Sequence, residues 1–202
     1  QRKAVEQLEG TSLIIAGAGT GKTHTLISKV INVLKSGADP ESIMLLTFTN
    51  KAAQEMTRRV QDYVGRPVYG IMGGTFHSVA VRLLRTYGKE ISIDPAFTII
   101  DTDDAESLLN TALRELHLNE QKKFPKKSVL QSMHSYMKNK YLSLNELLTT
   151  RYRYWLECED AIEQIFKKYA AAKKKGNCLD FDDLLNYLLL LLRTKITGDR
   201  IR

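Results

Sequence analysis

Sulfur-based staples are almost missing from this chain of 202 residues. Its two cysteines, Cys158 and Cys178, stand 20 positions apart with no CxxC pair and no histidine at ligand spacing. That pattern excludes a disulfide framework or a cysteine metal site and reads both as core thiols of a cytoplasmic protein. Long apolar runs are lacking as well. The longest, Leu184 to Leu192, is interrupted by Asn186 and falls far short of the roughly 18 residues that cross a bilayer. The chain opens without an initiator methionine and without a charged segment leading into an apolar one, so no signal peptide is legible and the start is expected to lie inside a longer protein. Repeats and low-complexity tracts are absent too, which removes collagen-like and disordered classes.

What the chain does have is positive charge. Thirty Lys+Arg against 23 Asp+Glu leave a formal net charge of +7, which invites an anionic partner. Charged residues at 26% and apolar ones at 43% are globular proportions. A chain of this length buries roughly 70% of its unfolded surface, enough for a core without covalent help.

The texture changes along the chain. Residues 12–15 and 43–48 are short, apolar, β-rich runs, each followed by a helical pattern, over 23–36 and 51–64. Strand, helix, strand, helix with unbroken apolar strands predicts an α/β fold around a buried parallel sheet. Gly37 with Asp39-Pro40 closes the first helix, and Gly65 with Pro67 closes the second. A third strand ends at Thr75-Phe76, leading into a helix over 78–87 that Gly88 stops. From about Lys89 to Asn177 the pattern is helical apart from a small strand at 97–100. Asp103-x-x-Glu106 opens one helix and the capping box Ser143-x-x-Glu146 another. The longest helix is expected over 153–175, with Cys158, Ile162, Ile165, Phe166, Tyr169 and Ala172 on one face and Gly176 as its stop. Asp180 caps a last helix over 181–194, after which the sequence ends. The expected organisation is a nucleotide-binding core over 1–87, an inserted all-helical subdomain over 88–177, and a return toward the core over 178–202.

Between the first expected strand and helix lies Ala16-Gly17-Ala18-Gly19-Thr20-Gly21-Lys22-Thr23, a Walker A phosphate loop with alanine at its first position. Gly17, Gly19 and Gly21 let successive backbone N–H groups curl around phosphate oxygens. Lys22 neutralises the β and γ phosphates, Thr23 offers Mg²⁺ a hydroxyl, and the helix N-terminus adds its partial charge. A guanine-reading Asn-Lys-x-Asp is missing, because neither Asn50-Lys51-Ala52-Ala53 nor Asn139-Lys140-Tyr141-Leu142 supplies the aspartate. An ABC-type signature is missing also, which leaves ATP as the default nucleotide.

Directly after the second strand comes Thr47-Phe48-Thr49-Asn50-Lys51-Ala52-Ala53, and the third ends in Gly74-Thr75-Phe76-His77-Ser78. Together with the Walker loop and the later Asp180-Phe181-Asp182-Asp183-Leu184-Leu185, this ordered set resembles the N-terminal part of superfamily 1 DNA helicases of the UvrD/Rep/PcrA type, over essentially the whole chain. The resemblance implies a RecA-like P-loop motor domain of an ATP-driven helicase that moves 3′ to 5′ on single-stranded DNA in repair or replication, with Mg²⁺ as cofactor. It also implies that Gln1 reads adenine, an amide being able to donate to and accept from the base edge. Residues 16–23 then hold the phosphates, with His24 where family members often carry Arg. Phe48, Thr49, Asn50 and Lys51 match the family's motif Ia contact to single-stranded DNA, and Thr75, Phe76 and His77 match motif Ib.

The residues alone leave several readings open. An aromatic beside hydroxyl, amide and ammonium groups at a strand end suits an unpaired strand, whose bases stack and whose phosphates accept hydrogen bonds. Phe48 equally fits a core residue under its loop. His77 reads as a DNA contact or helix cap or as a catalytic base, although no nucleophile with an acid partner is legible near it. His117 and His134 read as incidental helix residues. Asp180, Asp182 and Asp183 suit a capped helix start or a metal site. The expected insert carries Lys122, Lys123, Lys126, Lys127, Lys138, Lys140, Arg151, Arg153 and Lys173 to Lys175, interleaved with Tyr136, Tyr141, Tyr152, Tyr154 and Trp155. Such a set is a solvated face or a contact to duplex DNA.

No apolar strand after Thr23 ends in Asp-Glu, so the Walker B carboxylates are expected beyond Arg202. By the same resemblance a second RecA-like domain with an arginine finger lies outside the chain, and partners are single-stranded DNA and its junctions with duplex. The expectation is a motor fragment, inactive alone. The alternatives are the helicase domain of an AddA/RecB-type helicase-nuclease subunit and a non-motor nucleic-acid-binding module with a vestigial phosphate loop.

Overall fold

The computed structural model describes residues 1–7, 9–65 and 67–201. They are mixed α/β, in two compact units, Gln1–Val79 and Ala80–Arg202. The first unit opens with a short helix, α1 (Arg2–Glu6), and continues to α2 (Lys22–Lys35), β1 (Met44–Thr47), α3 (Asn50–Val64) and β2 (Met72–Thr75). Helix α4 (Phe76–Tyr87) carries the chain into the second unit.

β1 and β2 pair in parallel, Met44 opposite Met72 and Thr47 opposite Thr75. Parallel neighbours need a crossover, and α3 is that crossover. Its approach to the sheet explains why β2 reads Met-Gly-Gly-Thr: a Cβ on Gly73 would lie 3.1 Å from Thr57 Oγ1 of α3. Ile27, Val30 and Ile31 of α2 and Met56 and Val60 of α3 fall at helical spacing and close around Leu45 of β1. Each such aliphatic side chain contributes about 1.5–3 kcal/mol when fully buried. Thr49 caps α3 by accepting from Ala52 N–H, and Gly65, at φ 72°, ends it in the left-handed region.

The strand expected at residues 12–15 does not form. Leu13 is 85% and Ile15 89% exposed. A strand holds only when a neighbour takes up its N–H and C=O groups, and no described strand pairs with this segment. Two strand-helix units therefore stand in place of the three expected.

In the second unit a 3₁₀ turn (Gly88–Ile91) continues past the stop expected at Gly88, and is followed by β3 (Thr98–Ile99) and α5 (Thr102–Glu115). Asp101, rather than Asp103, caps α5, because its carboxylate reaches Asp104 N–H at 2.9 Å. Next come α6 (Lys127–Lys140), α7 (Leu144–Thr150) with the capping box Ser143/Glu146, and a 3₁₀ segment (Arg153–Cys158). Helix α8 (Glu159–Lys175) thus starts later than expected, since the backbone leaves helical angles at Trp155. Gly176 stays at φ −83°, and Asn177, at φ 47°, takes the left-handed turn instead. β4 (Cys178–Leu179) pairs in parallel with β3, Thr98 opposite Cys178. Then come α9 (Phe181–Arg193) and one helix more than expected, α10 (Lys195–Ile201). Leu109, Leu130, Met133, Leu147, Leu148, Ile162 and Ile165 form the fully buried centre of this unit. Among the described residues no helix is long and apolar enough to cross a membrane.

Candidate functional site

The glycine-rich loop leads straight into α2, as its sequence requires. Gly21, at φ 85°, is the N-cap, and Gly19 is also left-handed, at φ 74°. Both conformations strain any residue with a Cβ. The loop is closed on itself by side chains: Lys22 Nζ donates to Ala16 O at 2.9 Å and Gly17 O at 2.5 Å, and Thr20 Oγ1 donates to Gly17 O at 2.8 Å. Gln1 joins it from the start of α1, its amide donating to Thr20 O at 2.7 Å. Ala18 and Thr23 are exposed, Thr23 in the first turn of α2.

A cleft of about 360 Å³ runs between α1 and α2 and adjoins the loop, lined by Gln1, Arg2, Val5, Glu6, His24, Thr25, Ser28 and Asn32. Asn32 holds α1 in place by donating to Val5 O at 3.1 Å. Gln1 and His24, far apart in sequence, thus share one cleft next to the loop.

At the carboxyl ends of β1 and β2 the chain presents a second set. Phe48 is 98% exposed, so its core reading is wrong. Thr49 is committed to capping α3, while Asn50 and Lys51 stand exposed in that helix's first turn. Thr75 Oγ1 accepts from Ser78 N–H at 3.2 Å, which anchors the start of α4. Phe76 is 54% exposed and His77 is half-buried. Arg58 and Arg59 of α3 are occupied by Glu55, at 3.0 and 2.7 Å, and the two guanidiniums hold that carboxyl down at about 2.

In the second unit Asp180 and Asp183 form a capping box at the head of α9, and Asp182 accepts from Asn139 at 2.8 Å. The capping reading stands; among the described residues no group of three or more His, Cys, Asp or Glu is placed to hold a metal ion. Lys173, which the sequence groups with the surface cations, is buried. Its Nζ donates to Asp180 Oδ2 at 2.5 Å and to Asp183, and Tyr169 Oη donates to the same Asp180 oxygen at 2.8 Å. Burial would raise the Asp180 carboxyl, but Lys173 and the N–H and O–H donors around it outweigh that and hold it below its ordinary value. Asp183 is pushed up by burial and by the charge of Asp180. His134 packs edge-on against Phe166 and Tyr169, with both ring centroids at 5.1 Å. Burial, helped by Lys173 and Lys138, brings its imidazole down to about 4. It is a core histidine rather than an incidental one. The signal for Lys173 lies in its spacing, four residues after Tyr169 on the apolar stripe of α8.

The interleaved aromatics divide. Tyr136, Tyr152 and Trp155 pack against the core, while Tyr141 and Tyr154 are 70% and 71% exposed.

The profile of the UvrD/REP helicase N-terminal domain matches residues 1–201. The chain is 35% identical over 186 residues to a Bacillus subtilis protein named ATP-dependent DNA helicase PcrA, covering 92% of this chain and 24% of that protein. It is 35% identical over 190 residues to a probable DNA helicase II homolog of Rickettsia conorii (93% and 28%). A Staphylococcus aureus protein named ATP-dependent DNA helicase PcrA is 34% identical over 186 residues (92% and 25%). The chain thus spans about a quarter of the length of these relatives.

Proposed function

Because the chain belongs to the UvrD/REP helicase N-terminal domain family, we propose that it is the N-terminal, RecA-like motor part of an ATP-dependent DNA helicase. That enzyme moves 3′ to 5′ on single-stranded DNA and opens its junctions with duplex. The observation that carries this reading is one compact unit holding both a closed glycine-rich loop at the head of α2 and an exposed aromatic, Phe48, at the carboxyl end of β1.

Open parallel α/β sheets bind ligands outside the carboxyl ends of their strands, and those ends of β1 and β2 carry the second set, from Phe48 and from Phe76 onward. Gln1 faces the base, with His24 in the same cleft, and residues 16–22 cradle the phosphates. Lys22 exchanges its carbonyl partners for β- and γ-phosphate oxygens as nucleotide enters. Thr23 suits Mg²⁺, being an exposed hydroxyl, a hard oxygen donor, beside that cradle. The ion would supply positive charge that neutralises the phosphates. Phe48, Thr49, Asn50, Lys51, Thr75, Phe76 and His77 supply the single-strand contact: rings for bases, hydroxyl, amide and ammonium groups for phosphates.

Phosphoryl transfer needs charge stabilisation on every side of the γ-phosphate, and residues 16–23 provide one side. Alone, the chain is expected to bind nucleotide weakly and to turn it over far below a helicase rate. Calorimetric titration with Mg-ATP and with a short oligothymidine tests the proposal. Weak binding of both supports it; binding of neither reduces the loop to a vestige.

A further inference from the structure

A cleft of about 530 Å³ opens in the second unit among α6, α8, β4, α9 and residues 91–94, a volume within the range of small-molecule sites. Two of its charged groups are already occupied: Lys173 is committed to Asp180 and Asp183, and Asp94 accepts from Ala96 N–H at 2.9 Å. Lys138, from the last turn of α6, and Lys174, from the last turn of α8, line the same cleft. Both are exposed, and neither forms an ion pair among the described residues. Lysines at helix ends often serve the helix dipole, but that role does not account for His134, which also lines the cleft and is only 6% exposed. Its ring meets Phe166 and Tyr169 edge-on, and its nitrogens have no hydrogen-bond partner among the described residues. A buried imidazole in that state costs free energy, and a partner reaching it through the cleft would recover it. Ile91, Ile93 and Leu179 give the cleft an apolar wall.

We propose that this cleft binds a small organic phosphate monoester, its phosphoryl group held by Lys138, Lys174 and the His134 imidazole and its carbon body laid against Ile91, Ile93 and Leu179. Two ammoniums from different helices call for a dianion. The cleft has no arginine among its described residues. Lysine, a compact point charge, suits phosphate, whereas a carboxylate is met best by the bidentate fork of arginine. Burial keeps His134 neutral down to about pH 4, so it retains one N–H to donate to a phosphate oxygen. The apolar wall selects an ester over inorganic phosphate, which would leave that wall unused. A nucleic-acid strand carries phosphates in an extended row and needs a row of cations; two lysines at one cleft hold a single phosphoryl group. Residues 16–23 contribute nothing to the cleft, so this site goes beyond the helicase reading and does not depend on it.

Cys178 reports on the site, because its half-buried thiol lines the cleft whereas that of Cys158, half-buried as well, does not. The experiment follows iodoacetamide labelling of the two thiols by mass spectrometry while the whole chain is titrated with phenyl phosphate, inorganic phosphate or phenol. Phenyl phosphate should slow the labelling of Cys178 and leave Cys158 unchanged, at concentrations about tenfold below either fragment, since it alone fills both halves of the site. Lys138→Gln with Lys174→Gln should raise its half-protecting concentration about tenfold or more, the usual consequence of losing charged hydrogen-bond partners. His134→Leu should raise it as well. Lys140→Gln with Lys175→Gln, the same charge change on the same two helices but outside the cleft, should shift it much less. Absence of protection, equal slowing of both cysteines, or an equal shift in the cleft and control pairs would overturn the inference. So would inorganic phosphate that protects as well as phenyl phosphate. None of these outcomes touches the helicase reading, which is tested with Mg-ATP and oligothymidine.

Discussion

Thr47 and Thr75 face each other across β1 and β2, so the residues that follow them, Phe48 and Phe76, leave the sheet at the same end. Two aromatics at one sheet edge, 98% and 54% exposed, are a cost in water that a structural role does not explain. Phe48→Ala should therefore weaken binding to single-stranded DNA by about 1–3 kcal/mol, the usual value of one base stack. The melting temperature should not move, since the ring buries almost nothing. Anisotropy titration and thermal melting, run side by side, check both halves; a lower melting temperature with normal binding would restore a packing role.

Lys22 bonds the two carbonyls that begin its own loop, and in the proposed function it leaves them for incoming phosphates. Lys22→Ala should lower affinity for Mg-ATP in calorimetry and leave the circular-dichroism spectrum unchanged. Unaltered affinity would remove the phosphate site from residues 16–23.

Lys173 is the one cation facing two buried carboxylates among the described residues. Lys173→Met should destabilise the second unit by about 3–5 kcal/mol, the cost of leaving buried charge uncompensated. Adding Asp180→Asn and Asp183→Asn should recover most of that loss. Urea unfolding of the single and triple variants decides; a mild single variant would mean that water reaches the cluster.

His134 gives a pH signature. Its folded imidazole gains a proton only near pH 4, whereas the unfolded side chain does so near 6.5. Between these values the unfolded state binds more protons, so stability drops as pH falls through that window, by up to about 3 kcal/mol, and levels off below it. His134→Leu should flatten this part of the pH profile in urea unfolding. A profile identical to wild type would place the acid sensitivity in other groups.

The helices and their punctuation are legible because the signals are local. Ser143 with Glu146, Asp180 before α9 and the glycine-rich loop before α2 each satisfy nearby backbone groups and need no distant partner. What the sequence hides is tertiary. Residues 12–15 have strand chemistry, but a strand exists only by pairing. Asp101 rather than Asp103 caps α5 because the chain enters from β3, and one residue type at three nearby positions cannot reveal that. The charge of Lys173 points to the surface, whereas its place on the α8 stripe is the better guide. In the candidate site, the loop and the motif residues are visible in order, but the cleft that joins Gln1 to His24 depends on how α1 lies on α2.

Leu13, Ile14 and Ile15 stand 85%, 42% and 89% exposed, with their backbone taken up by no described strand. Such a stretch is sticky: three consecutive β-favouring residues with open hydrogen-bonding groups will accept any extended chain that drifts past, another molecule of the same kind included. Handled by itself at high concentration, the protein should precipitate through this short segment long before its helices unfold, and a charged residue in place of Ile15 is the simplest way to keep it in solution.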